Sequence, residues 1–71
     1  MRNYKQVKYA ADVLEIVDDC TKSNVQYITI SDVTDGFIDI LASFESCGCK
    51  ICGTVRVDEK NAIKIEIPLA N

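Results

Sequence analysis

The sequence predicts an α+β fold in which one N-terminal helix packs across a four-stranded antiparallel meander sheet (α-β-β-β-β). The apolar residues follow a helical period near the start of the chain, and from residue 25 onward they recur at every second position. Nine Ile and seven Val against three Leu weight the apolar content towards β-branched residues, which favour strands. With 71 residues, the chain is expected to form a single domain over residues 1–71.

The predicted helix covers residues 4–20. Its charged side chains fall on one stripe at helical spacing, and apolar residues such as Val7, Leu14 and Val17 fill the other positions. The polar run at residues 21–24 then ends the helical pattern.

The four predicted strands cover residues 25–32, 37–45, 50–58 and 62–67. Three hairpin loops join them, at residues 34–36, 47–48 and 59–61, and together they bring the alternating apolar positions to one inner face. The register places Ile40 opposite Ile30, Phe44 opposite Ile51 and Val55 opposite Ile65. It also sets two pairs of opposite charge side by side, Glu45 with Lys50 and Asp39 with Arg56.

Charge and hydropathy restrict the classes of partner. The net charge is −3 and the basic residues are scattered, so no basic stripe points to nucleic acid. No apolar run is long enough to span a membrane, and the polar N-terminal residues do not resemble a secretory signal. We therefore expect a cytoplasmic protein that binds neither nucleic acid nor membrane and whose thiols are reduced.

The four cysteines are Cys20, Cys47, Cys49 and Cys52. Residues 49–53, with the pattern Cys-x-x-Cys-Gly, resemble the first metal knuckle of rubredoxins and zinc ribbons, in which two thiolates and the following backbone amides wrap a tetrahedral ion. The resemblance implies bound zinc or iron. The second knuckle of those families is absent, so Cys20 and Cys47 would have to complete the ligand set.

Two other interpretations of the cysteines remain open. They can serve as buried structural thiols, or Cys20 can form a disulfide with Cys49 or Cys47. A tight turn at residues 47–48 sends Cys49 inward and Cys52 to the outer face, and that arrangement conflicts with a single metal ion.

The residue types in the sequence offer little support for a catalytic function. Histidine is absent, so the usual base for a cysteine or serine nucleophile is missing. A Cys-x-x-Cys redox motif needs a helix N-terminus to lower the thiol pKa, whereas here the motif begins a predicted strand. We therefore expect no enzyme, with a thiol redox sensor acting through Cys49 and Cys52 as the weaker alternative.

An interaction surface is predicted on the outer sheet face. The register gathers an apolar patch there, formed by Val25, Tyr27, Val33, Phe37 and Leu41. The first predicted strand also lacks charge and proline over residues 25–30, so its edge could pair with a second copy or with a partner's strand.

A second candidate surface lies on the helix, where an acidic ridge would meet a basic partner: Asp12, Glu15, Asp18 and Asp19. Together these observations predict a small regulatory or protein-interaction module, expected to be a homodimer without a cofactor. A small size and the absence of a catalytic residue set are typical of phage or mobile-element inhibitors of host machinery. The alternative is a structural zinc or iron protein organised by the four cysteines.

Overall fold

The computed structural model contains two helices and a four-stranded mixed sheet, and it describes residues 2–31 and 37–69. In chain order the elements are β1 (Arg2–Lys5), α1 (Ala10–Lys22), β2 (Tyr27–Ser31), α2 (Phe37–Ser46), β3 (Lys50–Val57) and β4 (Lys60–Glu66). The predicted α+β class is confirmed. The predicted antiparallel meander under a single helix is wrong, because the strand order is β1-β2-β4-β3 and β1 runs parallel to β2.

The two central strands are β2 and β4, and each pairs on both sides. Because β1 and β2 are parallel, the chain must cross over between them, and α1 is that crossover. The sheet edges are therefore β1 and β3. The first predicted strand, expected to offer a free edge over residues 25–30, contains β2 and lies inside the sheet.

Residues 37–45, predicted as a strand, form most of α2. The segment fits both periods, since apolar residues occupy the alternating positions 38, 40, 42 and 44 and also the helical positions 37, 40, 41 and 44. The burial decides between them: Phe44 is fully buried while Ile38 is 80% exposed, so the two do not share an inner face. The second predicted hairpin and its two charge pairs do not form, and Arg56 donates instead to the carbonyl oxygen of Glu59 at 2.7 Å. The loop of the first predicted hairpin, at residues 34–36, lies outside the described residues.

The end of α2 explains why the helical period prevails. Gly48 adopts φ +86°, a left-handed conformation that glycine enters without a steric penalty. Its N–H donates to the Glu45 carbonyl oxygen at 2.9 Å, and the Cys49 N–H donates to the Phe44 carbonyl oxygen at 3.0 Å. This is a Schellman motif, which satisfies the last carbonyl groups of the helix and turns the chain into β3.

Helix α1 ends in the same way. Asn24 adopts φ +58°, and its N–H donates to the Thr21 carbonyl oxygen at 3.3 Å. The Val25 N–H then donates to the Cys20 carbonyl oxygen at 2.8 Å. Asparagine is one of the few residues with a side chain that enters this region readily, so the polar run after the helix acts as a specific stop signal.

The beginning of the predicted helix is also different in the structure. Arg2–Lys5 forms β1, and α1 begins only at Ala10, after Tyr9 with φ −126°. The Tyr9 N–H donates to the Asp12 carboxylate at 3.1 Å and so fixes the first turn. Pairing of β1 with β2 is a long-range contact, which the local period of the sequence does not reveal.

The antiparallel pairing of the third predicted hairpin is confirmed, but its loop and its register differ from the prediction. β3 and β4 pair through a two-residue turn at Asp58 and Glu59, whose φ angles of +50° and +65° are typical of a type I′ turn. Val55 consequently lies opposite Ala62, not opposite Ile65. A β-bulge at Cys52 shifts the register and brings Ile51 opposite Ile65.

The core lies between the two helices and one face of the sheet. Val13, Ile16 and Cys20 come from α1, Ile40 and Phe44 come from α2, and Ile28, Ile30 and Ile65 come from the central strands, all at most 8% exposed. The opposite face, which we call the polar sheet face, carries the apolar Ala62 and Val55 and the polar or amphipathic side chains of Asn3, Tyr27, Thr29, Ser31, Lys64 and Glu66.

A pair of substitutions in α2 separates the helix from the predicted strand. Phe44→Ala should lower the free energy of unfolding by about 3–5 kcal/mol, because it removes a large, fully buried side chain. Ile38→Ala should change it by less than about 0.5 kcal/mol, because the side chain is exposed. Urea denaturation measures both. Comparable losses for the two variants would contradict the helix, since an inner strand face would bury both positions.

Candidate functional site

A groove of about 250 Å³ separates the outer surfaces of the two helices. We call it the helix groove, and its walls are formed by Ala10, Val13, Leu14, Ala42, Ser43, Ser46 and Cys47. The α1 wall is wholly apolar, whereas the α2 wall combines one alanine with two hydroxyls and a thiol. None of these side chains is a charged or basic group, so the groove is suited to apolar contact and hydrogen bonding.

The most exposed large apolar side chains of the described residues are Tyr9, Leu14 and Ile38, at 68%, 62% and 80% exposure. One of them lines the helix groove, and the other two are close along the chain to residues that line it. Leu14 lines it, Tyr9 precedes the lining residue Ala10, and Ile38 lies one helical turn before Ala42. Apolar residues grouped around a groove are typical of a binding surface.

The two helices concentrate the negative charge of the chain. Together α1 and α2 contain six acidic side chains and one basic side chain, a formal charge of −5, against −3 for the whole chain. On α2, Asp39 and Glu45 lie three residues before and three residues after Ala42, so both flank the helix groove. The groove is therefore an apolar surface with an acidic rim.

The predicted acidic ridge is present on α1, but three of its four members are engaged within the chain. Asp12 accepts the Tyr9 N–H, Asp18 pairs with Lys22 at 2.9 Å, and Asp19 pairs with Arg2 of β1 at 2.7 Å. Glu15 is exposed and forms no ion pair with any described residue. Asp19 thus contributes to holding β1 in place.

The predicted apolar patch on the sheet is not formed, because residues 37–45 are helical. Phe37 and Leu41 lie on α2, and Leu41 packs against the core, as does Val25. Only Tyr27 lies on the polar sheet face. Val33 lies outside the described residues.

Tyr27 on the polar sheet face is engaged by its neighbours. Its hydroxyl donates to a Glu66 carboxylate oxygen at 3.3 Å, and the Lys64 ammonium lies 4.5 Å from the ring centroid. The Glu66 carboxylate raises the pKa of Tyr27. These contacts use both the polar end and the face of the ring, so the aromatic surface is already covered by a cation.

Three of the four cysteines converge at the C-terminal ends of the helices. Cys20 is fully buried, with its sulfur 3.6 Å from the Tyr4 hydroxyl, and Cys49 is 6% exposed. Burial raises the pKa of Cys49 to about 11, and the nearby thiols of Cys47 and Cys20 add to the shift. Cys47 is half-buried and lines the helix groove. Cys49 therefore stays protonated at neutral pH.

Cys52 lies apart from this cluster. It occupies the β-bulge of β3, is exposed, and contributes to the raised pKa of Tyr27 on the polar sheet face. The predicted four-cysteine ligand set is thus divided between the core and the opposite face. Within residues 2–31 and 37–69, no three Cys, His, Asp or Glu side chains come together to hold a metal ion. All four thiols are free in this structure.

Sequence comparison places the chain in a family. A family model described as a domain of unknown function, DUF7698, matches residues 1–65. The chain belongs to the DUF7698 family. No curated protein and no solved structure matches it.

Among the described residues of this DUF7698 chain, no helix combines the length and the hydropathy needed to cross a membrane. The family description names no ligand or reaction. The helix groove, with its acidic rim and the thiol cluster at one end, is the candidate site that the geometry supports.

The sequence pattern does not predict the groove, because residues 37–45 are predicted as a strand and not as a helix. A usable signal was present: Phe37, Ile40, Leu41 and Phe44 follow the i, i+3, i+4, i+7 pattern, and Gly48 follows four residues later. That combination is typical of a helix ending in a left-handed glycine. The exposed positions Ile38 and Ala42 then fall on the solvent side of the helix.

The raised pKa of Cys49 makes stability depend on pH in the alkaline range. Between the ordinary thiol pKa of 9.0 and about 11, the unfolded chain loses this proton while the folded chain keeps it. Stability is therefore fully present below pH 9 and falls as pH rises towards 11, by up to about 3 kcal/mol from this group. Urea denaturation across this range should show the decline in the wild type and a shallower one in Cys49→Ala. Parallel curves for the two proteins would refute the assignment.

Proposed function

We propose that this DUF7698 domain is a small non-enzymatic binding module whose helix groove docks a protein partner. The observation that carries the proposal is the position of the exposed apolar side chains: Leu14 lines the groove, and Tyr9 and Ile38 each lie within one helical turn, along the chain, of a residue that lines it. Leaving such side chains in water is unfavourable, and covering one of them contributes about 1.5–3 kcal/mol. A docked partner would recover that free energy.

The partner that best fits the groove is an amphipathic helix with a basic flank. A groove between two helices accepts a third helix by the same packing of side-chain ridges that joins α1 to α2. The acidic rim adds charge complementarity, since Asp39 and Glu45 form no ion pairs within the described part of the chain. Such a rim steers a basic partner and disfavours an acidic one.

Binding, rather than chemistry, is supported by the lining itself. The groove offers the hydroxyls of Ser43 and Ser46 and the thiol of Cys47. Acyl transfer or hydrolysis by these groups requires an adjacent base that activates the nucleophile, and none of the lining side chains can act as one. The acidic rim serves recognition in this proposal.

The edges of the sheet are less suitable for docking. β1 is only four residues long and carries Arg2 and Lys5. β3 is longer, but it is interrupted by the bulge at Cys52 and carries Lys50 and Arg56. Bulges and charged side chains are the features by which proteins prevent edge-to-edge pairing.

The test is binding of a fluorescent amphipathic peptide of leucine and lysine, followed by anisotropy. Leu14→Asp and Ile38→Asp should each weaken binding about tenfold or more, because each removes an apolar contact and adds a buried charge. Both side chains are exposed, so the fold should be retained, and circular dichroism checks this. The double variant Asp39→Asn with Glu45→Gln should weaken binding and reduce its dependence on salt.

The matched control is Thr54→Asp, which adds the same charge at an exposed position of β3 outside the groove. It should bind the peptide as the wild type does. The proposal fails if Leu14→Asp binds like this control, or if a peptide with glutamate in place of lysine binds equally well. It also fails if the wild type is a dimer that Leu14→Asp dissociates, because the groove would then be filled by a second copy.

A further inference from the structure

The thiol cluster holds two cysteines of different character on either side of one glycine. Cys47 follows the last residue of α2 and is half-buried in the wall of the helix groove. Cys49 lies two residues on and is buried in the core at 6% exposure. Gly48, between them, adopts φ +86° and reverses the chain direction.

The bend at Gly48 brings the Cα atoms of these two cysteines closer together than an extended chain would. Two virtual Cα–Cα bonds of about 3.8 Å each separate them, and a bend at the middle residue shortens the span below their sum. Disulfides require Cα separations of about 4.4–6.8 Å. The hydrogen bonds from the amides of Gly48 and Cys49 to α2 hold this bend in the folded protein.

Cys20 is placed differently. It is fully buried, its sulfur contacts the Tyr4 hydroxyl at 3.6 Å, and it belongs to the other helix. Cys52 lies at the bulge of β3, on the far side of the sheet from the core. Of the clustered thiols, Cys47 is thus the one that a small solute in the groove can meet, and Cys49 is its neighbour along the chain.

We propose that Cys47 is an oxidation site for small hydroperoxides and that Cys49 is its resolving thiol. The Cys47 sulfur attacks the outer oxygen of the hydroperoxide and becomes a sulfenic acid, while the hydroperoxide is reduced to the alcohol, or to water when it is hydrogen peroxide. The Cys49 sulfur then displaces the hydroxyl group, which leaves as water with the Cys49 proton. One disulfide forms, and the two thiols supply the two electrons that reduce the hydroperoxide.

This inference is independent of the proposed docking function, because it concerns the chemistry of the free chain. Its consequence is local. The disulfide would fix the Cys47 side chain towards the core, and one wall of the helix groove would change shape.

The experiment uses the full chain carrying Cys52→Ser, which prevents pairing between molecules through the exposed thiol. After treatment with hydrogen peroxide, the free thiols are alkylated and the protein is digested with trypsin without reductant. Trypsin cleaves after Lys22 and Lys50, so Cys47 and Cys49 remain in one peptide, residues 23–50, and Cys20 falls in another. We expect the 23–50 peptide to carry no alkyl group and to be lighter than its reduced form by two hydrogen atoms. The peptide that contains Cys20 should be alkylated.

Two variants provide the comparison in the same background. Cys47→Ser should abolish the internally linked peptide, whereas Cys20→Ala should leave it unchanged. A peptide joining Cys20 to residues 23–50 would overturn the pairing, and alkylation of both Cys47 and Cys49 after peroxide treatment would overturn the site. Circular dichroism before and after oxidation confirms that each protein is folded, so these results report on the native cluster.

Discussion

Phe44 is the residue on which the two-helix layer depends. Its side chain is fully buried in the core, and its backbone carbonyl accepts the Cys49 N–H that closes α2. The Phe44 side chain therefore fixes the depth at which the helix sits, and its backbone carbonyl takes part in the closure that Gly48 specifies. Gly48 makes this possible, because a residue with a side chain would be strained at φ +86°. The direction of β3 and the position of the thiol cluster both follow from this closure.

The predictable parts of the fold are those specified by local signals. The helical period identifies the body of α1, and alternation with a short polar turn identifies the hairpin of β3 and β4. Residues 37–45 satisfy two periods at once, and the choice between them depends on packing against elements far away in the sequence. β1 has only four residues and gains its structure from parallel pairing with β2, a contact for which no local pattern exists.

The sequence predicts which kinds of residue form the candidate site better than it predicts where they lie. Exposed apolar side chains and an acidic surface were both expected, yet the apolar residues were assigned to a sheet face that the structure makes polar. The error followed from a single element: once residues 37–45 are helical, Leu41 turns towards the core and Ile38 towards solvent. The separation of Cys49 from Cys52 was anticipated as a consequence of a tight turn, although the turn that produces it ends a helix.

The order of the strands also has a consequence for how the chain folds. β3 and β4 are joined by two residues, so their pairing closes a very short loop and costs little chain entropy. β1 and β2 are separated along the chain by α1, so their pairing closes a much longer loop. The side chains of β1 contact their neighbours through the Arg2 pair with Asp19 and through the Asn3 hydrogen bonds with Thr29 and Ser31. We expect the hairpin to form early and the N-terminal strand to join last. The same strand would then be the first to detach when the native state opens locally.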